Sequence, residues 1–505
     1  MAAAVNRVLR AINGGERIVL FGDYDVDGIT SLTLLAELLR SYGAAPELFL
    51  PLRMEEGYGM SPESVERCCD LFNPQLLIAV DCGTSSLAEI ADLRSRGIDV
   101  IVLDHHEPKS ALPECIAVVN PKTEKGCAFD YLCSAGIAFK FCHALLKTKP
   151  PPSEFNLKAE LDLVALGTVA DIVPLQNENR VFVQRGAFEI ARSRRVGIRK
   201  LIEIAALRPP ITAEAIAFRL GPRLNAAGRL ATAEKALRLL LTRDEKEATE
   251  LALLLDSQNR ERQGIEKKIC TEAEQLLATG FNPKNDAAIV VGSRDWHQGV
   301  LGIVASRLAR SYHRPTIVVG FDSNGRGKGS GRSIDGFSLI EALGRCDALL
   351  EKFGGHEMAA GLTVREDLFP RFADAFKKTA REHLSDEDLE PRLKLDHELA
   401  LSDLNPELLQ WYEALQPFGN GNLQPMFFAR GVEPATAPRV LKDKHLLLQL
   451  RQQNYFRRAI FFDGASQPLP TTPWDVAFRL NAEEYEGETR LQLHIEALRA
   501  SGPIA

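Results

Sequence analysis

The sequence predicts an α/β protein in which two α/β lobes are joined by a long helix and followed by a small β-barrel domain. Three observations predict this fold class. Runs of Val, Ile and Leu alternate with helical patterns in the first third of the chain, the alternation starts again near residue 286, and short strands separated by turns fill the last 110 or so residues. Apolar runs separated by helices are typical of a parallel sheet buried on both faces.

The composition is that of an ordinary globular protein: 45% of the 505 residues are hydrophobic and 26% are charged. It excludes a disordered chain and a collagen-like fibre. A run of about 18 apolar residues is absent, and so is the apolar core of a signal peptide, so we expect a cytoplasmic protein without a membrane span. Nine cysteines without a Cys-x-x-Cys pair indicate free thiols. The net charge of −7 excludes DNA binding through bulk positive charge but leaves room for a local basic groove.

The first lobe is predicted from four apolar strands and the helices between them. The first strand, RIVLF, ends at Gly22. Further strands are predicted at 47–50, 76–80 and 99–103, and helices at 28–41, 86–97, 134–146 and 158–170. Ligands of such sheets bind at the carboxyl ends of the strands. We therefore expect the functional residues of this lobe to follow its strands.

Residues 176–275 are charged and helical, and LALLLDSQNRERQGIEKKI predicts one extended helix within them. We interpret the region as a connector; a coiled-coil dimer arm is the alternative, although apolar heptads are not sustained. The second lobe has predicted strands at 287–291 and 316–320, a helix at 299–311, a Gly-rich run at 325–332 and a helical region to about 385. The predicted domains are 1–180, 181–283, 284–390 and, as an OB-like barrel, 391–505.

The motif GDYDVDG at residues 22–28 carries the clearest chemical signal. It follows a strand and opens a helix, and Asp23, Asp25 and Asp27 alternate, so that in an extended segment they would point to one side. Three carboxylates this close repel one another unless a cation compensates them. An acidic turn with a helix N-cap is the alternative. An EF-hand loop is poorly supported, because no glutamate stands at its twelfth position.

Three further segments supply ligand-type residues. Asp81 follows the strand LLIAV, Asp104–His105–His106 follow the strand DVIVL, and Asp171 lies in GTVADIV. The first two sets and the GDYDVDG motif all stand where a predicted parallel strand leaves the sheet, so we expect them at one edge. A lone His pair is more often a surface or core feature, but its position beside two acidic strand ends favours a shared metal site.

The residue types indicate which metal this site would take. Carboxylates suit Mg²⁺ or Mn²⁺, and the added imidazoles favour Mn²⁺. Several carboxylates can hold two ions about 3.5–4 Å apart, and such a pair activates water for attack on a phosphodiester. The sequence therefore predicts two divalent ions, Mn²⁺ or Mg²⁺, and phosphoryl chemistry.

Together these residues resemble the DHH phosphoesterase superfamily. The resemblance extends to the RecJ family of bacterial single-strand-specific 5′→3′ DNA exonucleases and covers nearly the whole chain, including its β-rich tail. The motifs that carry it, in chain order, are EGYGM at 56–60, GPRLNAAGR at 221–229, DWHQGVLGIVASRL at 295–308, GSGRS at 329–333 and GGHEMAAG at 354–361. The series in this order is specific, although no single motif is decisive.

The resemblance implies a role for each matched residue of the metal site. The implied catalytic residues are Asp25, Asp27, Asp81, His105, His106 and Asp171. Asp25, Asp27, Asp81, His105 and Asp171 are implied to be metal ligands, with Asp81 bridging the two ions. His106 is implied either to join these ligands or to touch the scissile phosphate. Asp23 matches a further acid of the motif, whose direct ligation stays open.

The resemblance also implies residues that hold the DNA and its 5′ phosphate: Arg53, Tyr58, Arg223, Asn225, Ser330, Arg332 and His356. Gly329 and Gly331 would let backbone amides approach an anion, and the Arg332 guanidinium offers two parallel hydrogen bonds. The alternatives are a hairpin turn for the Gly-rich run, an ion pair for Arg223 and a helix cap for the GGH segment. The Trp296–His297 pair is assigned to packing.

Two features depart from the family pattern. Phe21 stands where some DHH phosphatases and pyrophosphatases place a metal-binding His, which agrees with the RecJ branch. The GDYDVDG motif begins at residue 22, whereas RecJ chains usually carry a longer N-terminal segment, so we expect a truncated or misassigned start. In the tail, the RQQNYFRR segment at 451–458 interleaves basic and aromatic residues, as OB folds that bind single strands do; strand packing is the alternative.

The resemblance implies a single-stranded-DNA-specific 5′→3′ exonuclease that releases mononucleotides in DNA repair and recombination. The alternative is a phosphodiesterase for oligoribonucleotides or cyclic dinucleotides, against which the barrel domain and the connector argue. A non-catalytic scaffold is disfavoured because every ligand position is intact. The family also implies single-strand-binding protein and a RecQ-type helicase as candidate partners, and we expect a monomer in a bacterial cytoplasm.

Overall fold

The computed structural model describes residues 1–502 except 53–55, 58, 109–110, 231 and 486–487; the side chains of 230, 483–485, 488 and 489 are outside the description as well. The chain forms two compact units. One comprises Met1–Asp171 with Arg185–Pro391, and the other comprises Ile172–Gln184 with Arg392–Ala505. The predicted domain boundary at 180 therefore falls inside a segment that packs with the C-terminal residues, and the four-domain division stays a prediction.

The first lobe alternates strands and helices as predicted. Its elements are α1 (Ala2–Gly14), β1 (Ile18–Gly22), α2 (Val26–Ser41), β2 (Glu47–Phe49), α3 (Pro62–Phe72), β3 (Leu76–Val80), α4 (Leu87–Ser95), β4 (Asp99–Leu103), β5 (Ala117–Val119), α5 (Ser134–Thr148) and α6 (Leu161–Ala170). All four predicted strands are present, and β5 is an additional one.

The five strands form a parallel sheet in the order β2-β1-β3-β4-β5. Every residue of β1 and β3 is buried, because α2 and α5 pack against one face of the sheet and an apolar cluster around Phe21, Phe49 and Ile90 covers the other. The chain runs outward in opposite directions from β1 and β3, so a crevice opens between their carboxyl ends, where ligands of such sheets bind.

The connector consists of several helices rather than one. They are α7 (Asn177–Ala191), α8 (Val196–Ile204), the short α9 (Ala213–Ala215), α10 (Gly221–Leu230), α11 (Glu234–Leu241) and α12 (Glu245–Gly280). The predicted extended helix is α12, 36 residues long and capped by Asp244, whose side chain accepts a hydrogen bond from the Glu247 N–H. A π-helical turn, Ile216–Leu220, leads directly into α10.

The second lobe is built on a mixed sheet. Its elements are β6 (Ile289–Ser293), α13 (Leu301–Tyr312), β7 (Thr316–Phe321), β8 (Arg326–Arg332), α14 (Leu339–Gly344), β9 (Lys352–Gly355), β10 (Ala359–Arg365) and α15 (Phe369–His383). The strand order is β6-β7-β8-β10-β9, in which only β6 and β7 are parallel. The helical region predicted up to 385 is wrong in part, because it contains the β9–β10 hairpin.

The Gly-rich run is a strand in the middle of this sheet, not a turn or an open anion loop. A Cβ atom at Gly331 would lie 2.7 Å from Ile317 Cδ1, and one at Gly329 would lie 3.0 Å from side-chain atoms of Val319 and Leu362. The interpretation that these two glycines free backbone amides for an anion is therefore wrong: they make room for large neighbours on the adjacent strands. The GGH segment ends β9 in a hairpin rather than capping a helix.

The C-terminal unit is the predicted barrel. Its elements are β11 (His397–Glu398), α16 (Pro406–Ala414), β12 (Phe427–Pro434), β13 (Arg439–Leu441), β14 (His445–Gln452), β15 (Tyr455–Phe461), β16 (Trp474–Tyr485) and β17 (Glu488–Ala500). Strands follow one another in the order β12-β16-β17-β15-β14, and β14 pairs with β12, so five strands close into a ring. Trp474 and Phe478 lie in its core. Among the described residues, no helix is long and apolar enough to cross a membrane.

Candidate metal centre

The GDYDVDG motif forms the connection from β1 to α2. Asp23 follows β1 and is fully buried. Asp25 is the N-cap of α2, with its Oδ1 atom accepting a hydrogen bond from the Gly28 N–H at 3.1 Å. A Cβ atom at Gly28 would lie 2.4 Å from the Asp23 carbonyl oxygen, so glycine is required there. The interpretation of the three carboxylates as one face of an extended segment is wrong, because Asp27 already lies in the first turn of the helix.

Asp27 points to the N-terminus of another helix. Its two carboxylate oxygens accept hydrogen bonds from the Ser134 N–H at 2.7 Å and the Ala135 N–H at 2.8 Å, the first backbone amides of α5. The positive end of a helix dipole stabilises a carboxylate at this position. A Cβ atom at Gly167 of α6 would lie 2.7 Å from Asp27 Oδ1. Three helices therefore determine where this carboxylate lies.

Asp81 and His105 meet Asp27 and Asp171 in the crevice. Asp81 follows β3, and its backbone adopts a positive φ of 63°, which is uncommon outside glycine. The His105 Nε2 atom lies 3.3 Å from Asp81 Oδ1, 3.4 Å from Asp171 Oδ2 and 3.9 Å from Asp27 Oδ2. Asp171 is the C-cap of α6. Carboxylates from three separate segments thus lie around the imidazole of a fourth.

Asp23 and Asp25 extend the cluster. Atoms of Asp23, Asp25 and Asp81 lie within 4.8 Å of one another, and the same holds for Asp27, His105 and Asp171 and for Asp81, His105 and His106. These three overlapping groups contain all seven residues that the sequence predicts for the metal site. Their spacing is that of groups able to hold metal ions, while ligation by each residue stays a prediction.

The electrostatics of the cluster reflect its burial. Burial, and then the neighbouring Asp25, raises the pKa of Asp27 to about 6. The pKa values of Asp81 and Asp171 are raised well above the ordinary range, first by burial and then by the other carboxylates, chiefly Asp27. The pKa of Asp23 follows the same pattern, with Asp25 as its main charged neighbour. Without a cation, this many carboxylates cannot all stay ionised in one buried crevice.

The pKa values of the two histidines are shifted in opposite directions. Burial, and then repulsion from His106, lowers the pKa of His105 to about 3, so its imidazole is neutral and has a lone pair to offer. Burial by itself would lower the pKa of His106, but the 2.7 Å hydrogen bond between its Nδ1 atom and Asp104 Oδ1, together with the negative charges of Asp104, Asp171 and Asp23, raises it. His106 therefore binds a proton more readily than an isolated imidazole does, and more readily than His105.

The donor set fits a divalent metal. In the described part of the chain, neither ring nitrogen of the buried His105 has a hydrogen-bond partner, and the same is true of Asp171 Oδ2. Buried polar atoms without partners are costly unless a missing ligand satisfies them. Carboxylates with one neutral imidazole are the ligands that Mn²⁺ and Mg²⁺ accept. The cluster can therefore hold a divalent cation.

The residues predicted to bind DNA lie in several places. Arg53 and Tyr58 are outside the described residues. Arg223 of α10 donates a 2.9 Å hydrogen bond to Asp256 of α12, which agrees with the ion-pair alternative. Asn225, two residues further along α10, accepts a 3.1 Å hydrogen bond from the Val26 N–H at the start of α2. Their contact with a phosphate stays a prediction.

The remaining three lie in the second lobe. Ser330 and Arg332 are two residues apart on β8, and the Arg332 Nη1 atom donates a 3.2 Å hydrogen bond to Ser330 Oγ. A Cβ atom at Gly302, in the first turn of α13, would lie 3.1 Å from each side chain. Burial lowers the pKa of Arg332. His356 is exposed at the tip of the β9–β10 hairpin.

Two residues at the metal centre have roles that the sequence did not predict. Asp104 accepts hydrogen bonds from the backbone N–H groups of His105 and Thr84 and from the His106 ring. Burial alone would raise its pKa, but these bonds, led by that of His106, hold the pKa below its usual range. Its place directly after β4 predicted that it lies at the metal site, but not that it orients His106. Ser134 is the second residue, and nothing in the local sequence marks it.

Three family models match the chain. The DHH family N-terminal domain matches residues 17–168, the DHHA1 domain matches 285–382, and the RecJ OB domain matches 395–497. The fold and the metal-binding geometry thus define a protein of the DHH class. Relatives that align with nearly the whole chain show which family of that class it belongs to.

The single-stranded-DNA-specific exonuclease RecJ of Haemophilus influenzae is 36% identical over 98% of this chain and 89% of its own length. The RecJ of Bacillus subtilis is 34% identical, and the chain spans 63% of that relative. The crystal structure of RecJ in complex with Mn²⁺ from Thermus thermophilus superposes with a TM-score of 0.85 at 33% identity, covering 99% of this chain and 72% of that one. The chain belongs to the RecJ family.

Proposed function

We propose that this chain is a metal-dependent exonuclease that hydrolyses single-stranded DNA from its 5′ end and releases mononucleotides. The observation that carries the proposal is the convergence of Asp27, Asp81, His105 and Asp171 in one crevice at the carboxyl edge of the parallel sheet. The names of the relatives from Haemophilus influenzae and Bacillus subtilis, single-stranded-DNA-specific exonucleases, support the substrate.

The metal site is proposed to hold two divalent ions, Mn²⁺ or Mg²⁺, and Asp81 would contribute to holding both. Three overlapping ligand groups support the count, because Asp81 belongs to two of them. The Thermus thermophilus structure in complex with Mn²⁺ supports the element. When bound, such ions polarise the phosphodiester and lower the pKa of a coordinated water towards neutrality. The protein supplies Asp25, Asp27, His105 and Asp171 as further ligands, held by the contacts described above.

His106 is proposed to touch the scissile phosphate. Its ring is oriented through Nδ1 by Asp104, which also raises the His106 pKa and thereby favours the imidazolium form. An imidazolium oriented in this way can donate a charge-assisted hydrogen bond to a phosphate oxygen. Asp104 is then a positioning residue, comparable to the carboxylates that orient metal-bound and catalytic histidines elsewhere.

The 5′→3′ direction of degradation is proposed to come from a pocket for the 5′ phosphate in the second lobe. Ser330, Arg332 and the N-terminal turn of α13 around Gly302 converge there, and Arg332 has no carboxylate partner among the described residues. A guanidinium beside a helix N-terminus is a suitable anion site. Asn225, Arg223, His356, Arg53 and Tyr58 stay predictions for the path of the strand.

Arg332→Ala should reduce the preference for a 5′ phosphate. Because a charge-assisted hydrogen bond contributes about 1.5–3 kcal/mol, we expect the ratio of rates on 5′-phosphorylated and 5′-hydroxyl strands to fall by about tenfold or more. The rates are measured with end-labelled oligonucleotides at saturating Mn²⁺. Arg326→Ala, an exposed arginine at the other end of the same strand, is the matched control. An unchanged ratio in Arg332→Ala would contradict the assignment.

The function itself is tested by digestion of end-labelled DNA with Mn²⁺, Mg²⁺ or chelator. We expect mononucleotides from the 5′ end of a single strand, little product from a blunt duplex and none with chelator. A dinucleotide substrate in the same experiment separates the alternative, a phosphodiesterase for oligoribonucleotides or cyclic dinucleotides, which the barrel domain disfavours. Faster hydrolysis of the dinucleotide than of the long strand would favour that alternative.

The cellular setting follows from the same proposal. A single-strand exonuclease acts on ends that arise in DNA repair and recombination, which in bacteria places it in the cytoplasm. Single-strand-binding protein and a RecQ-type helicase, which coat and produce such strands, are the proposed partners. A monomer is proposed as the functional form. The rate on strands coated with single-strand-binding protein, compared with bare strands, tests the first partner directly.

A further inference from the structure

Ser134 contacts two carboxylates of the metal centre at once. It is the first residue of α5 and is fully buried. Its backbone N–H donates to Asp27 Oδ2 at 2.7 Å, while its hydroxyl group donates to Asp81 Oδ1 at 2.9 Å. The two carboxylates come from different segments, one from the first turn of α2 and the other from the end of β3. A single serine therefore links their positions.

The Ser134 hydroxyl contacts the Asp81 oxygen that faces the other ligand-type atoms of the crevice. Asp81 Oδ1 is the atom that lies 3.3 Å from His105 Nε2, which has no hydrogen-bond partner in the described part of the chain. A carboxylate rotates about its Cβ–Cγ bond unless neighbours hold it, and a buried hydroxyl at 2.9 Å restrains that rotation. The backbone of Asp81, with its positive φ of 63°, places the side chain in the crevice, and the serine hydroxyl then helps to hold Oδ1 in place.

We propose that the Ser134 hydroxyl is a positioning group of the metal centre, which orients the Asp81 carboxylate for the cation. The inference rests on the proposed function of the site, and it extends that function to a residue outside the acidic and DHH motifs. The hydroxyl faces a carboxylate oxygen, so it donates rather than accepts in this contact. A charge-assisted bond of this kind is among the stronger hydrogen bonds in a buried site.

The two contacts of Ser134 can be separated by mutation. Asp27 is bound by backbone amides, which every side chain at position 134 except proline retains. Ser134→Ala therefore removes only the bond to Asp81. Ser31→Ala is the matched control: Ser31 is a fully buried serine of the neighbouring helix α2, and its hydroxyl has no hydrogen-bond partner in the described part of the chain.

The experiment measures Mn²⁺ binding to the full chain by isothermal titration calorimetry or by the electron paramagnetic resonance signal of free Mn²⁺. We expect Ser134→Ala to weaken Mn²⁺ binding about tenfold, the scale for a bond to a charged group, and Ser31→Ala to leave it unchanged. On single-stranded DNA, Ser134→Ala should raise the Mn²⁺ concentration needed for half-maximal rate, with KM for DNA unchanged. A folded Ser134→Ala protein that binds Mn²⁺ like the parent overturns the inference.

The result is distinguishable from a failure of the proposed function. If the parent protein degrades DNA and Ser134→Ala binds Mn²⁺ normally, the positioning role is wrong while the nuclease assignment stands. If the parent does not degrade single-stranded DNA but Ser134→Ala still binds Mn²⁺ more weakly, the function is wrong while the positioning role stands. Thermal melting of both variants without metal shows whether folding is preserved, and Ser134→Thr, which retains the hydroxyl, should restore most of the affinity.

Discussion

Asp81 shows how much of this site depends on one residue. It follows β3, faces His105 through Oδ1 and belongs to two of the three ligand groups. Its pKa is raised first by burial and then by the charges of Asp27 and its neighbours. A buried carboxylate in this position is costly without a cation, and in the proposed site it would help to hold both ions. Asp81 therefore destabilises the metal-free fold, and we propose that it is central to metal binding.

Asp81→Ala should lower the rate on single-stranded DNA by about 10³-fold or more, the scale for loss of a preorganised group that stabilises charge in a transition state. The rate is measured at saturating Mn²⁺ with end-labelled DNA. Asp70→Ala, which removes an exposed carboxylate of α3, is the control and should retain the parent rate. Near-full activity of Asp81→Ala would exclude this residue from the metal centre.

The stabilising effect of Mn²⁺ should depend on pH. The folded-state pKa of Asp27, about 6, exceeds the ordinary value of 3.8. The stability gained from its protonated form is fully present below pH 3.8 and is lost as the pH rises through about 6. The metal-free protein should therefore lose stability over this window, and Mn²⁺, which binds the ionised carboxylates, should compensate.

Thermal melting with and without Mn²⁺ checks this expectation. The increase in Tm on adding Mn²⁺ should be several degrees at about pH 7.5 and close to zero at about pH 5. Asp27→Asn, which removes the titrating group, should make the metal-free melting temperature less dependent on pH. An equal increase in Tm at both pH values would contradict the expected coupling between Mn²⁺ binding and ionisation of Asp27.

At the scale of secondary-structure elements, strand ends and helix ends have different roles in the site: strand ends place residues at one edge of the sheet, and helix ends hold individual carboxylates. Strands β1, β3 and β4 deliver Asp23, Asp81 and His105 to one edge of the sheet. Helix ends then fix individual groups: the N-terminus of α5 binds Asp27, and Asp25 caps α2. Strand β8 differs from these strands. Its glycines allow it to pack between β7 and β10, while Ser330 and Arg332 face α13.

Gly331→Ala should destabilise the protein by about 1–3 kcal/mol, because the added methyl group would meet Ile317 Cδ1 at 2.7 Å in a packed sheet. The free energy of unfolding is measured by denaturant titration with fluorescence or circular dichroism. Gly361→Ala, on the paired strand β10, is the control: its nearest neighbour is 3.9 Å away, and we expect a change within about 0.5 kcal/mol. Equal effects of the two substitutions would contradict the packing role of Gly331.

At the scale of the whole molecule, an acidic protein is proposed to bind a polyanion. The net charge is −7, and the metal centre itself contributes several carboxylates. Attraction to DNA must then come from local groups such as Arg332 and from the bound cations, since bulk charge opposes it. The barrel of the C-terminal unit adds a fold that elsewhere binds single strands through basic and aromatic residues.

Binding to single-stranded DNA should weaken as salt increases. The logarithm of the association constant should fall linearly with the logarithm of the salt concentration, with a slope of about −0.7 for each phosphate contact on a single strand. Fluorescence anisotropy of a labelled oligonucleotide without metal measures the slope and avoids digestion. Arg332→Ala should make it less steep by about 0.7 on a 5′-phosphorylated strand, and a slope near zero in the parent would argue against phosphate contacts.

The sequence by itself determined most of the architecture and which carboxylates and histidines cluster in the crevice. Buried strands, the extended helix α12 and the strands of the barrel are visible because their periodicity depends on near neighbours in the chain. The same holds for Asp23, Asp81 and His105, since each comes shortly after a strand whose carboxyl end must lie at the same edge. Ranges were less precise, as at β6, predicted at 287–291 and observed at Ile289–Ser293.

Only the tertiary structure decided how these groups are held. Asp27 lies in a helical turn against the amides of α5, Asn225 accepts from the Val26 N–H across 199 positions of sequence, and Ser134 reaches Asp81. The Gly-rich run became a central strand because of neighbours on β7 and β10. Such contacts join elements distant in the chain, so their partners depend on packing that no local pattern specifies.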